Sequence, residues 1–461
     1  MPLVIVLLAL LALLVLPAAA HASPRQAMSF EAPSELLDDA RRDATLDQIQ
    51  AFGVTQLRQL VYWRDFAPRP KRRTKPRFDA ADPEDYPEGT WARLDNLIAQ
   101  TEARGMEVML TLTGPVPKWA TATRRGYLDR PSAREFGRWA TAVARRYGDR
   151  VNTWSVWNEP NQPQFLMPQY RRGRPVSPAI YRRLYRAAHQ AIRRTPGGRR
   201  DPILIGETSP RGNRNVVHPL AFLRGMTCLN ERYRPARRCT RLITDGYAHH
   251  AYTTRTGPRF VPPDRDDVTI GVLPRLVSAL DRAARAGRLP RGLPIHLTEF
   301  GIQSYPDRRS GVSLGRQPAY YAISEHIAYV HPRVALFSQY LMTDDAPRTG
   351  EYRYGGFESG LRRSNGRPKP AYRAFPNPLA VENYGRRDVL WGLIRPQRRA
   401  TRVTVEVRRR PGARWRRLRT LTTTSTGVFG LSATHRDRQQ YRVRWTADSG
   451  RRFTGPAIAA Y

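Results

Sequence analysis

Between residues 27 and 375, eight short apolar runs of strand length alternate with segments of helical spacing. The strand-like runs cover 27–30, 55–63, 107–113, 151–159, 202–207, 245–252, 295–299 and 334–340. Helical spacing marks 45–52, 91–103, 133–147, 180–192, 273–286, 318–330 and 371–375. In the first of these, Leu46, Ile49 and Phe52 share one face and Gly53 supplies a stop. Ser132 is placed to cap the helix over 133–147, and Pro274 falls in a first turn, where a missing N–H is tolerated. Strands alternating with helices pair in parallel, and eight such units close into a ring. The expected class is therefore α/β, with a (β/α)8 TIM barrel over 23–375.

The period changes after about residue 385. Arg402–Arg408 and Tyr441–Trp445 alternate strictly between apolar and polar residues, and Pro411-Gly412 and Gly427 mark turns between them. These features predict a linker over 376–388 and a small all-β sandwich over 389–461. At the other end, residues 4–16 are apolar, and Pro17 and Ala20-His21-Ala22 follow, a small-x-small cleavage pattern. This predicts a signal peptide over 1–22 and a secreted or cell-surface protein, although no Lys or Arg precedes the apolar run. An uncleaved anchor is the alternative. In an exported chain, Cys228 and Cys239 are expected to form one disulfide.

The formal net charge is +39, nearly all of it from arginine, since lysine occurs only at 71, 75, 118 and 369. The arginines are spread along the whole chain, which favours a compositional bias over a dedicated nucleic-acid site. The loop carrying Arg69, Lys71, Arg72, Arg73, Lys75 and Arg77 leaves room for contact with an anionic glycan or cell-wall polymer. No His-x-His, His-Glu-x-x-His or second cysteine pair is present, so no metal is expected. No phosphate-cradling Gly-x-x-x-x-Gly-Lys occurs, and no cofactor is expected.

Two strand ends carry the chemistry. The run over 151–157 leads into Asn158-Glu159-Pro160, where proline cannot continue a ladder. Pro294–Gly301 repeats the arrangement: apolar residues, then Glu299, then a glycine that lets the chain turn. Two glutamates at two strand ends suit glycoside hydrolysis, one donating a proton and the other attacking or activating water.

Trp157-Asn158-Glu159-Pro160 and Leu297-Thr298-Glu299-Phe300-Gly301 resemble the corresponding motifs of clan A glycoside hydrolases, retaining TIM-barrel enzymes such as families 5 and 39. The resemblance implies that Glu159 is the acid/base and Glu299 the nucleophile. It also implies that Arg58 and the tyrosine of His250-Ala251-Tyr252 hold Glu299, and that Asn158 contacts the sugar 2-hydroxyl. Trp63, Trp119 and Tyr340 are aromatic residues near strand ends, suited to stacking on sugar rings or to packing. Tyr340 stands where many members place a tryptophan. The C-terminal region resembles the Ig- or fibronectin-like accessory domains of secreted hydrolases. The expected function is a secreted retaining glycoside hydrolase acting on a poly- or oligosaccharide. A barrel kept only for carbohydrate or cell-wall binding and a polyanion-binding structural protein are the alternatives.

Overall fold

A computed structural model describes residues 26–461 except 237 and 351, and the expected signal peptide lies outside the described residues. Eight parallel strands close into a barrel: β1 (Ala27–Glu31), β2 (Gln56–Tyr62), β3 (Glu107–Thr113), β4 (Thr153–Val156), β5 (Ile203–Thr208), β6 (Gly246–His249), β7 (Ile295–Leu297) and β8 (Val334–Tyr340). Each pairs with its neighbour in sequence, and β8 returns to β1, placing Ala27 opposite Leu336 and Glu31 opposite Tyr340. Met109, Leu204, Ala248 and Leu336 meet although their strands are not all neighbours, so they fill the barrel's interior.

Helices α1 (Arg42–Ala51), α2 (Ala92–Glu102), α3 (Ala133–Tyr147), α4 (Ser177–Arg193), α5 (Pro219–Met226), α6 (Leu273–Arg285), α7 (Arg316–Tyr329) and α8 (Pro370–Ala374) form the outer ring. Ser132 caps α3, its hydroxyl accepting from the Glu135 N–H at 3.3 Å. Pro274 sits in the first turn of α6. Helix α5 has no counterpart in the periodicity reading. It is only eight residues long, is led by a proline, and runs into the polar segment whose cysteines, Cys228 and Cys239, are bridged. No helix among the described residues is long and apolar enough to cross a membrane.

The C-terminal region holds two antiparallel sheets. One orders β9 (Leu379–Tyr384), β10 (Arg387–Leu393) and β13 (Val428–Thr434). The other contains β11 (Arg402–Arg408), β12 (Arg416–Thr422), β14 (Gln440–Thr446), β15 (Arg452–Thr454) and β16 (Ile458–Ala459). Val381, Leu390, Val403, Val405, Phe429, Tyr441 and Val443 pack between them. A Cβ at Gly392 would lie 2.1 Å from the Phe429 ring, so only glycine allows that approach.

The span 376–388, expected as a linker, contains β9 and the turn into β10. Leu379-Ala380-Val381 is apolar enough to bury, and Gly385, at φ 70°, closes a two-residue hairpin. This sheet lies against the barrel: Ala322, Ile323 and Tyr329 of α7 pack on Ala380, Trp391 and Leu393. Helix α7 is therefore buried on two sides, by β strands of the barrel and by the sandwich. Arg395 reaches back to Glu325 in a buried two-pronged ion pair, at 2.6 and 2.8 Å.

Candidate active site

The C-terminal ends of the strands converge on one guanidinium. Arg58 is fully buried in the middle of β2, and its N–H groups reach four strand ends and Thr111 of β3. Nη1 bonds Glu31, which ends β1, and Glu299, past β7, at 3.2 Å. Nη2 donates to Asn158 Oδ1 at 2.8 Å and to Glu207 Oε2 at 3.1 Å, and Nε donates to Thr111 at 3.2 Å. Three carboxylates around one arginine hold its guanidinium firmly protonated against the cost of burial.

His250 forms the second cationic node. Its Nδ1 lies 3.0 Å from Glu159 Oε1 and 3.5 Å from Glu299 Oε2, and its Nε2 lies 2.7 Å from Glu207 Oε2. Burial alone would lower the imidazole pKa, but Glu299 and the two bonded carboxylates outweigh it and push it up to about 10. Both ring nitrogens therefore carry protons. Glu159, His250 and Glu299 place one ligand-type atom each within 4.8 Å of one another, a spacing a metal could use. A metal there would have to displace a proton from the His250 ring.

Glu159 and Glu299 face each other across this node. One oxygen of each falls within that 4.8 Å group, against about 5–5.5 Å between the carboxyl groups of retaining glycosidases and about 6.5–9.5 Å in inverting ones. Burial raises the Glu159 pKa, and the Glu299 charge adds to the rise, while the His250 N–H opposes it. Its other oxygen accepts from Gln162 at 2.6 Å. Tyr252 donates to Glu299 Oε1 at 2.8 Å. The backbone turns sharply here, with Trp157 at φ 70° and Glu159 at φ 38°, conformations that cost a non-glycine residue on the order of 1–3 kcal/mol.

Two further glutamates belong to the constellation, and neither lies in the motifs that mark the site in the sequence. Glu207 is wholly buried and accepts from Arg58, His250, Thr298 at 2.8 Å and Ser155 at 2.5 Å. Burial would raise its pKa, yet Arg58 and His250 prevail and hold it down at about 2. A bulge aims it inward: the pairing of β5 with β6 shifts register between Gly206 and Thr208, and Gly206 and Glu207 adopt φ of 115° and 50°. A Cβ at Gly206 would come within 2.5 Å of the Ala248 carbonyl. Gly206-Glu207 was thus a readable signal, a glycine before an acid at a strand end. Glu31 has one oxygen on Arg58 and the other buried without a partner. Burial lifts its pKa to about 7, against the pull of Arg58. Only barrel closure puts Glu31 beside Glu299.

The aromatic candidates divide. Trp63 is 0% exposed, its ring 5.7 Å from Trp139 and stacked on it, with Phe136 and Trp119 alongside. Trp63 is the last residue of the run expected for β2, but the strand ends at Tyr62, and Trp63 opens a helical turn that turns its ring under α3. Trp119 is 6% exposed and packs against Trp63 and Phe78, its indole N–H bonded to the Pro68 carbonyl. Neither ring faces the site. Tyr340 does reach it, half-buried, where burial and the Glu299 charge push its hydroxyl pKa well up. Phe357 joins it at 4.9 Å and lies 6.2 Å from Tyr252; at 40% exposure it presents an open ring at the mouth. In the basic loop after β2, Lys75 pairs with Glu135 at 2.5 Å, whereas Lys71, Arg72 and Arg73 are exposed.

No family model matches the chain, and no curated protein matches its sequence. Solved structures do resemble it in fold. A family 39 glycoside hydrolase from Bacteroides cellulosilyticus WH2 aligns with a TM-score of 0.55 at 16% identity, over 91% of this chain and 81% of its own. A glucosidase from Croceicoccus marinus aligns at 0.52 and 12% identity, over 92% and 95% of the two chains. GH5_18 from Streptomyces cattleya, solved with GlcNAc, aligns at 0.50 and 17% identity, over 76% and 79%. The barrel is the one used by these clan A glycosidases.

Proposed function

We propose that the protein is a secreted retaining glycoside hydrolase that acts by double displacement. The observation that carries this reading is the approach of Glu159 and Glu299 within one 4.8 Å cluster at the ends of β4 and β7 of a closed barrel. Glu299 attacks the anomeric carbon. Arg58 and Tyr252 each hold one of its oxygens, so a single geometry is offered to the substrate. Glu159, favoured in its protonated form by burial, gives its proton to the leaving oxygen and later takes one from water. The amide oxygen of Asn158 is taken up by Arg58, which leaves its NH2 for a sugar hydroxyl. Tyr340 and Phe357 supply ring faces for a sugar. Export is supported by the apolar run over 4–16 and the small residues at 20 and 22.

Substitution of each glutamate tests the roles. Glu299→Ala should abolish turnover of aryl glycosides, and azide should restore it with a glycosyl azide of inverted configuration as product. Glu159→Ala should spare glycosylation by substrates with good leaving groups, which need no proton, and should fail on unactivated glycans. Wild-type rates on a natural glycan in either variant would refute the assignment.

A further inference from the structure

The C-terminal region has a charge that composition does not account for. Residues 379–461 hold nineteen arginines and no lysine against five carboxylates, a net +14 of the chain's +39 in under a fifth of its length. All five carboxylates are engaged: Glu382 with Arg259, Asp388 and Asp437 with His435, Glu406 with Arg442 and Arg444, and Asp448 with Arg399. A cleft of about 630 Å³ opens where β12 of one sheet approaches β13 of the other. Arg408, Arg409, Arg414, Arg416 and Arg436 line it over an apolar floor that includes Val407 and Leu418, with no acidic residue among its walls. None of these five arginines has a carboxylate partner among the described residues.

We infer that this cleft binds an acidic polysaccharide, a glycan bearing carboxylate, sulfate or phosphate groups along its length. Guanidinium groups match such anions two-pronged, and five of them along an open channel suit a repeating charge. The apolar floor accepts the C–H faces of sugar rings. A single-stranded nucleic acid would instead want an open aromatic face for its bases. The one indole beside the cleft, Trp415, has the guanidinium of Arg408 at 4.6 Å and that of Arg442 at 4.3 Å, so both cations claim its ring. The site is separate from the barrel mouth, and the inference stands whether or not the barrel is catalytic.

Binding of the full chain to polygalacturonate, to a neutral glucan and to duplex DNA, measured from low to high salt, tests it. Polygalacturonate should bind best. Arg409→Gln, Arg414→Gln and Arg416→Gln together should weaken it about tenfold or more and flatten the slope of log affinity against log salt by about 2–3. A control with Arg93→Gln, Arg232→Gln and Arg291→Gln removes the same charge from exposed sites on the barrel and should change little. Equal losses in the two triple variants would overturn the cleft. Tighter binding of DNA than of polygalacturonate, lost in the cleft variant, would overturn the acidic polysaccharide.

Discussion

At the residue scale the site is a charge lattice in which two cations, Arg58 and His250, are shared among four glutamates. Glu207 touches both cations, so in the proposed reaction it acts through them. Glu207→Gln should leave the fold intact while removing the anion 2.7 Å from His250 that helps keep it protonated. The pH profile of the His250 ring, read by NMR titration, should then move down by about one unit or more, since the imidazolium loses a partner. An unmoved pH profile would reduce Glu207 to packing. Glu31 makes the opposite case for stability. Its pKa is about 7 in the folded protein and 4.5 ordinarily, so between those values the folded state holds a proton that the unfolded chain has released. Stability contributed by this group therefore falls as pH rises from 4.5 to 7. Glu31→Gln keeps an acceptor for Arg58 and cannot ionise. It should match the wild type near pH 4 and be more stable at pH 8, by at most roughly 3 kcal/mol, as denaturant titration at the two pH values would read.

At the element scale, the mouth is held by a pin between the loops after β7 and β8. The Lys369 ammonium, nearly fully buried, donates to Ser304 at 2.9 Å, to Asp344 at 2.5 Å and to the Glu358 carbonyl at 3.0 Å. These loops carry Gln303 and Phe357, so the pin fixes the wall beside Glu299. Lys369→Met would strand Asp344 without its cation, at a cost of about 3–5 kcal/mol when it is charged. Burial lifts the Asp344 pKa to about 6 even with Lys369 in place, so at pH 5 it can shed its charge by taking a proton. The variant should lose more stability at pH 8 than at pH 5. Equal losses would show that Asp344 is not the group left stranded.

At the scale of the whole molecule, the barrel and the sandwich share a core. Trp391 stacks on His326 at 4.9 Å, and Arg395 buries its charge against Glu325 of α7. Burying part of a barrel helix under a second domain couples their unfolding. Calorimetry should show one transition for the wild type. Arg395→Met leaves Glu325 buried without its donors, at about 3–5 kcal/mol, and should split that transition in two. Two transitions in the wild type would refute the coupling.

That Arg58 and Tyr252 hold Glu299 is implied only by the resemblance to clan A motifs; the sequence alone determined the eight-strand count and the two glutamates at the ends of β4 and β7. Those residues lie in strong local patterns, where apolar alternation and a chain-breaking proline or glycine mark a strand end regardless of what packs nearby. It also carried the change to all-β periodicity near residue 385, although not the strand at 379–384, whose short apolar run had no partner until the sandwich docked on α7. Other positions were decided by the tertiary structure alone. Trp63 and Trp119 look like platforms at strand ends, but whether an aromatic ring faces a mouth or a helix depends on where its strand stops, and β2 stops one residue before Trp63. Glu31 and Glu207 lie 176 residues apart in the chain and meet Arg58 only because the barrel closes and β5 bulges at Gly206. A closed ring brings strand ends together that no local pattern relates.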